Sequence, residues 1–324
     1  MQVLIPSSAF LLCLVATPVV RRIALRKGWI AYPSKQRWHK KPTALLGGIA
    51  IYLGSASALF YLADFSTIWP HFFRTSNFVN LPSLGAVLWL GMTFLFFLGL
   101  LDDFLHIKPQ TKLVGQILVA LLVTFLGFRL HWFTSLTLDT MVTIGWIVGI
   151  TNAFNLLDNM DGLCAGTGFI AAVFLAILFW ESTPAAAFIA MSVAGALAAF
   201  LIYNFNPATI FMGDCGSLVI GFTLAVLSLF FSEIQGANAL SNFAVPVILL
   251  LVPIFDTTLV TLIRLLSGRK ASVGGRDHTS HRLVLMGFSE KNAVLFLYSI
   301  GTVAGISAMF VSRSDTLTSP VVII

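Results

Sequence analysis

The feature that most constrains this chain is a succession of long apolar runs separated by short polar breaks. Runs close to 2–20, 44–62, 82–101, 113–130, 139–157, 163–180, 184–202, 217–234, 243–265 and 292–311 are each apolar over the length of a bilayer. A helix crosses the hydrocarbon core with about 20 mostly apolar residues, because lipid forces every backbone polar group to be satisfied within its own segment. Composition agrees: 58% of the 324 residues are hydrophobic, 10% are charged, and mean hydropathy is +0.94. That excludes an ordinary soluble domain. The expected fold is an all-α polytopic integral membrane protein with about ten transmembrane helices in a single domain spanning 1–324. An eleventh span is open if Leu317–Ile324 begins one. The N-terminus does not read as a cleavable leader, since its basic residues follow the first apolar run.

Charge then orients the chain. Of 19 Lys and Arg residues, 16 fall on the side facing the segment after span one, and only Arg74, Arg129 and Arg313 fall opposite. Positive charge collects in the cytoplasm, so that side is cytoplasmic and the N-terminus lies outside. The net charge of +6 then needs no nucleic-acid partner; topology and contact with anionic membrane lipids account for it. The three cysteines, Cys13, Cys164 and Cys215, form no CxxC pair and imply no disulfide framework.

Polar clusters interrupt the apolar pattern at particular places. The stretch Asn204–Ser217, NFNPATIFMGDCGS, holds one acid, Asp214, between Gly213 and Gly216. Such a carboxylate can bind a hard cation such as Mg²⁺, or it can cap the helix starting near Ser217. Asp102 and Asp103 follow span three directly, and like charges side by side need a positive neighbour. Lys108 and Lys112 could supply it in a solvated salt-bridged loop, or the pair could serve a metal or phosphate site.

Asn152, Asn155, Asp158 and Asp161 close span five, and 155, 158 and 161 recur at a spacing that would put them on one helical face. Polar groups there are costly and by default mark a site, although a turn rich in Asn, Asp and Gly is the plain alternative. In the ninth span, Pro246 and Pro253 predict a kink. Asp256 and Arg264 are expected to pair beside it. The last loop, 266–291, carries His278, His281 and Arg282, which could grip phosphate, bind metal or form a solvated basic loop. In the first loop, 21–43, Trp29, Tyr32 and Trp38 suit the headgroup level. Its Lys40 and Lys41 could steer an anionic nucleotide or simply anchor the chain. The external loop, 63–80, reads as an interfacial hairpin.

All the polar clusters fall at cytoplasmic span ends under one topology, whereas the acids outside are scattered. An ion-coupled transporter would instead place carboxylates near mid-bilayer, where only Asp256 qualifies, and would show an internal repeat. A non-catalytic scaffold would leave the clusters unexplained.

LLDDFLHIKPQTKLVGQ, NAFNLLDNMDGLCAG, NFNPATIFMGDCGS and the HxxHR loop together resemble the polyprenyl-phosphate N-acetylhexosamine-1-phosphate transferase family. Its members start common-antigen, O-antigen and teichoic-acid linkage units, and the phospho-MurNAc-pentapeptide translocase is a cousin. The resemblance runs from HKKPT to HTSHRL with the motifs in family order. It implies a bacterial inner-membrane, multi-pass enzyme that moves a sugar 1-phosphate from a UDP-N-acetylhexosamine to undecaprenyl phosphate, releasing UMP. Mg²⁺ would be required, with Mn²⁺ a candidate substitute, and a homodimer is open.

By the same resemblance, Asp214 would ligate magnesium and Phe211 would stack on uracil. Asn204 and Asp161 would line the uridine pocket, with Asp158 and Asn155 near metal and nucleotide. Asp102 and Asp103 would form the family's aspartate pair, Lys112 would hold phosphate, and His278 and His281 would lie near the diphosphate. Many relatives have His-x-His-His-Arg in the last loop, where this chain has His-Thr-Ser-His-Arg with Ser280 in the middle. The loop also lacks the run of three histidines that the resemblance would imply for the peptide-bearing translocase, which argues for a plain N-acetylated hexose donor.

Overall fold

The computed structural model of the protein describes residues 4–33, 41–64, 83–130, 132–234, 239–269, 275 and 277–313. Twelve helices appear in order among them: α1 (Leu4–Lys27), α2 (Gly48–Leu62), α3 (Leu84–Leu105), α4 (Pro109–Phe125), α5 (Leu136–Leu157) and α6 (Leu163–Phe179). Then follow α7 (Pro184–Asn204), α8 (Asp214–Ile234), α9 (Ala239–Leu249), α10 (Leu251–Leu266), α11 (Thr279–Leu285) and α12 (Glu290–Arg313). Each expected apolar run contains a helix. By length and composition, α1, α3, α5, α7, α8 and α12 can cross a membrane. A further span is present if α9 and α10, bent by 75° at their junction, count as one broken span. The remaining apolar helices α2, α4 and α6 are shorter. The protein is therefore an all-α, multi-pass membrane protein.

The bundle is built around α8, whose apolar window is 94% buried. A helix apolar on every side belongs in the interior of a bundle. Without a hydrophobic force between helices in lipid, close approach depends on small residues. Gly99 of α3 provides one such contact: a Cβ there would lie 2.6 Å from the Asp214 carbonyl oxygen and 2.6 Å from Cys215 Cα. The position of Asp214 is thus set partly by a glycine in another helix.

Several boundaries differ from those expected. Helix α1 continues through Arg21, Arg22, Arg26 and Lys27, residues that hydropathy alone places in the first loop. Arg, Ala, Leu and Lys are all good helix formers, so the helix outlasts its apolar stretch. Helix α4 starts at Pro109, a residue suited to a first helical position, so Lys112 lies in its first turn. Helix α5 ends at Leu157, with Asp158 following as its cap residue and Asp161 beyond. The expected helical stripe of 155, 158 and 161 is therefore only begun by Asn155; the other two are in the turn. The kink falls at Leu250, between the two prolines that predicted it. All three cysteines are buried and free. The external hairpin at 65–80, Lys40 and Trp38 of the first loop, and the eleventh span lie outside the described residues.

A two-stranded antiparallel pair, β1 (Ile30–Ala31) and β2 (Thr43–Ala44), follows α1. The chain after β2 is stitched to the segment before α8: Phe211 N–H donates to Ala44 O at 2.8 Å, and Gly47 N–H to Phe211 O at 2.8 Å. Trp29 packs edge-on against Phe104 at 5.1 Å, so this aromatic residue joins the end of α3. The backbone of Phe211 is thereby fixed from both sides.

Candidate active site

Helix ends converge on one polar cleft of about 520 Å³. It is lined by the C-terminal ends of α3 and α5, the starts of α8 and α12, and the last loop. Ten of the residues singled out from sequence line it: Asp102, Asp103, Asn155, Asp158, Asp161, Asn204, Phe211, Asp214, His278 and His281. Lys112 is bonded to the lining residues Asp102, Asp214 and Asn155. Lys41 is exposed and does not line the cleft. Arg282, also exposed, instead donates from Nε to the Asp277 carbonyl at 3.0 Å.

Lys112 is the hub. Its Nζ donates to Asp102 Oδ2 at 2.9 Å, to Asp214 Oδ2, and to Asn155 Oδ1 at 3.4 Å. Asn155 Nδ2 reaches back to Asp214 Oδ1 at 3.0 Å and to Ser217 Oγ at 2.8 Å. An ammonium between two carboxylates relieves their repulsion and holds both in place. One turn deeper, Gln116 of α4 and Asn152 of α5 exchange amide hydrogen bonds at 3.3 and 2.5 Å. Gln116 is 2% exposed, and this reciprocal pair locks α4 to α5 beneath Lys112 and Asn155. Sequence reading passed over Gln116; its spacing of four from Lys112 was the available signal.

The adjacent acids Asp102 and Asp103 have different jobs. Asp103 accepts the Asp214 N–H at 2.8 Å and the Cys215 N–H at 3.1 Å. It therefore caps α8 from another helix, satisfying donors that a helix start leaves open. The alternative in which Asp214 caps that helix gives way to this arrangement: Asp214 is itself the first residue of α8, and its side chain serves Lys112 and Asn155. Gly213, at φ 73°, makes room for it, since a Cβ there would meet Asp103 Oδ2 at 2.7 Å.

Asp161 and Asn204 organise the neighbouring wall. Asp161 Oδ2 accepts from Ala208 N–H at 2.9 Å and from Asn206 Nδ2 at 3.3 Å. Buried Asn204 accepts from Gly162 N–H at 3.2 Å and donates to Ile210 O at 2.9 Å. Together they tie the turn after α5 to the segment before α8.

The last loop is anchored by two acid–base pairs, and here an expectation is corrected. Asp256 and Arg264 do not pair with each other. Asp256 Oδ2 lies 2.8 Å from His278 Nδ1, while its Oδ1 accepts Thr279 N–H at 2.6 Å. Arg264 makes a two-point contact with Asp277, Nε to Oδ2 at 2.9 Å and Nη2 to Oδ1 at 2.8 Å. The loop supplies a better-matched partner for each than the other would be two turns along one helix. The guanidinium of Arg264 holds the Asp277 carboxyl below the usual carboxylate range. Asp256 thus belongs to the cleft end of the bundle, which removes the one candidate for a mid-bilayer relay. Ser280 Oγ donates to Asn159 Oδ1 at 2.6 Å, and the His278 and His281 rings meet edge to face at 5.6 Å. Asp277 and Glu290, to which sequence reading gave no role, stand respectively behind and in the cleft wall.

Among the described residues no group of three or more His, Cys, Asp or Glu side chains is placed to hold a metal ion.

Fold and site define a class first: a multi-pass membrane protein with a carboxylate-rich cleft, organised by one lysine, at one end of its bundle. The glycosyl transferase family 4 model matches residues 86–232. A probable undecaprenyl-phosphate N-acetylglucosaminyl 1-phosphate transferase of Bacillus subtilis is 32% identical over 319 residues, covering 95% of this chain and 84% of the relative. A decaprenyl-phosphate N-acetylglucosaminephosphotransferase of Mycolicibacterium smegmatis is 32% identical over 328 residues, covering 91% and 78%. A phospho-N-acetylmuramoyl-pentapeptide-transferase of Lactobacillus gasseri is 31% identical over 247 residues, covering 69% and 74%. The chain belongs to the polyprenyl-phosphate N-acetylglucosamine-1-phosphate transferase family and is a membrane phosphosugar transferase.

Proposed function

We propose that this protein transfers N-acetylglucosamine 1-phosphate, or a closely related N-acetylhexosamine 1-phosphate, from a UDP-sugar to undecaprenyl phosphate, releasing UMP. The reaction would run at the cytoplasmic face of the bacterial inner membrane and initiate O-antigen or another cell-envelope glycan. The observation that carries this reading is Lys112 held between Asp102 and Asp214 at a bundle end. One reactant is a buried polyprenyl chain and the other a charged cytosolic nucleotide, so only such an interface can host both. The acceptors named for the Bacillus and Mycolicibacterium relatives are polyprenyl phosphates, and the sugar named is N-acetylglucosamine.

An oxygen of the lipid phosphate attacks the phosphorus bearing the sugar. A new diphosphate bond forms, and the bridging oxygen leaves with its electron pair on UMP. Phosphoryl transfer leaves the protein little covalent work; positioning and charge stabilisation dominate. A monoalkyl phosphate has a second pKa of about 6 and is largely dianionic at neutral pH. Asp102 is therefore assigned to orienting the phosphate site rather than to removing a proton. Lys112 neutralises the two acids, and an entering phosphate oxygen would take over the weakest of its three N–H bonds, the one to Asn155 Oδ1 at 3.4 Å. Phe211, with its backbone fixed by Ala44 and Gly47, offers a ring to the uracil.

The donor set fits magnesium in one particular mode. Mg²⁺ is usually bound by one or two carboxylates completed by water and substrate phosphates, and Asp214 and Asp102 already converge on one cation. Asp214 would be the ligand, with Asp102 beside it. When bound, the ion would offset charge on the diphosphate.

The plain amino-sugar donor is preferred to a peptide-bearing one because the last loop, His-Thr-Ser-His-Arg, lacks a run of three histidines; its Ser280 is instead engaged with Asn159. The test uses protein purified in detergent with undecaprenyl phosphate, Mg²⁺ or Mn²⁺ and a panel of UDP-N-acetylhexosamines. UMP release and organic-extractable sugar are followed. Product from one donor, absent with chelator and in Asp214→Asn, is expected. No product with any donor would overturn the reaction, and an active Asp214→Asn would overturn the metal assignment.

A further inference from the structure

We infer that Asp256 is a positioning residue for the transfer proposed above, fixing the His278 imidazole with Nδ1 turned inward and Nε2 presented to the cleft. The inference rests on that reading for its consequence in turnover, but its geometry stands alone. Asp256 is 2% exposed on α10 and does not line the cleft; His278, 5% exposed, does. The carboxylate has two grips on its target: Oδ2 on the ring Nδ1 at 2.8 Å and Oδ1 on the Thr279 N–H at 2.6 Å. Thr279 is the first residue of α11, so its N–H has no partner within that helix. Side chain and backbone around His278 are therefore held by one carboxylate.

An ionised carboxylate only accepts, so the proton of this hydrogen bond sits on Nδ1. Among the described residues the structure gives Nε2 no hydrogen-bond partner. The His281 ring, edge to face at 5.6 Å, flanks the imidazole. Helix α10 holds the preceding residue as well, through the two-point Arg264–Asp277 contact. Asp256 and Arg264, eight residues apart, share a helical face, so one rigid helix fixes two consecutive loop residues. A carboxylate behind a histidine sets which nitrogen is offered to the ligand.

A merely structural anchor would hold the loop without selecting a tautomer, and the two roles separate by measurement. Nitrogen-15 NMR of histidine-labelled wild-type protein, which has six histidines, reads the tautomer directly, with His278→Gln assigning the signal. His278 should be protonated at Nδ1, and Asp256→Asn should shift that population. In the transferase assay, Asp256→Asn should lower kcat roughly 10- to 100-fold, the range for loss of such an outer partner. In the His278→Gln background the same change should cost less than about twofold. A wild-type His278 protonated at Nε2 with bare Nδ1 would overturn the inference, even if Asp256→Asn fails to fold. So would an equal loss from Asp256→Asn in both backgrounds, or no loss at all. Absence of transferase activity in wild type would refute the proposed reaction instead, leaving the tautomer result to decide the geometry.

Discussion

The division of labour between Asp102 and Asp103 can be tested by exchanging one atom in each. Asp103 accepts two backbone N–H groups at the start of α8, at 2.8 and 3.1 Å. Replacing a side-chain cap costs about 0.5–2 kcal/mol, and hydrogen bonds to charged groups contribute about 1.5–3 kcal/mol. Asp103→Asn keeps one acceptor oxygen but turns an amide NH₂ toward the other N–H. The expected loss is therefore roughly 1–3 kcal/mol, with Asp214 displaced because its own N–H is one of the two. Asp102→Asn keeps an acceptor oxygen for Lys112, which stays paired with Asp214, and should cost less stability than Asp103→Asn. Heat inactivation of the detergent-solubilised protein reads the stability, and lipid-linked product reads the chemistry. Asp103→Asn should lose heat stability by several degrees together with turnover, while Asp102→Asn should lose turnover alone. Gly213→Ala should imitate Asp103→Asn, since its Cβ would sit 2.7 Å from Asp103 Oδ2 and φ 73° strains any L residue. The reasoning fails if Asp103→Asn is as heat-stable as wild type, or if Asp102→Asn is the less stable of the two.

Gly99→Ala should push α8 away from α3 at Asp214 and abolish most turnover while the protein still inserts; unchanged kcat would show that this close contact does not set the site. Gln116→Leu removes one half of a buried amide pair, leaves Asn152 short of a partner, and should cost about 1–3 kcal/mol in heat stability, measured as above. Asp277→Asn takes the carboxylate from a guanidinium 1% exposed and should destabilise by about 3–5 kcal/mol. Because the folded Asp277 pKa is depressed, its contribution is complete above about pH 4 and lost as pH falls through the lower folded value; acid inactivation of wild type, but not of Asp277→Asn, should carry that component.

The membrane fold was legible because lipid allows so few backbone solutions: each apolar run contains a helix. Helix ends were less legible. The Arg21–Lys27 extension of α1 is polar but strongly helix-forming, so hydropathy stopped where the backbone did not. Which residues gather in one cleft was legible in the order of the polar clusters, whereas their pairings were not. Asp102 and Asp103 are indistinguishable in sequence, and only the approach of α3 to α8 makes one a cap and the other a partner of Lys112. Asp256 and Arg264 share a helical face and opposite charge, a fair reason to pair them. Their true partners, His278 and Asp277, arrive from a loop whose path no periodicity encodes.

Charge in the cleft gives the strongest physical reason for expecting a cation there. Six carboxylates line it, those of Asp102, Asp103, Asp158, Asp161, Asp214 and Glu290, and the substrates of the proposed reaction are themselves anions. A phosphate oxygen 4 Å from one carboxylate is opposed by about 4 kcal/mol at an effective dielectric constant of 20. Part of that is already offset: Asp103 is occupied by backbone N–H groups, Asp161 by Ala208 and Asn206, and Asp102 and Asp214 share Lys112. One lysine for two acids still leaves an excess of negative charge where the diphosphate would lie. Binding of UMP, which involves no chemistry, should therefore weaken by about tenfold or more when Mg²⁺ is withheld, by about 1.4 kcal/mol or more. Lys112→Met should weaken it with Mg²⁺ present as well. Equal calorimetric affinities with and without the ion would mean that the protein neutralises its own acids, and Asp214 would then need another role.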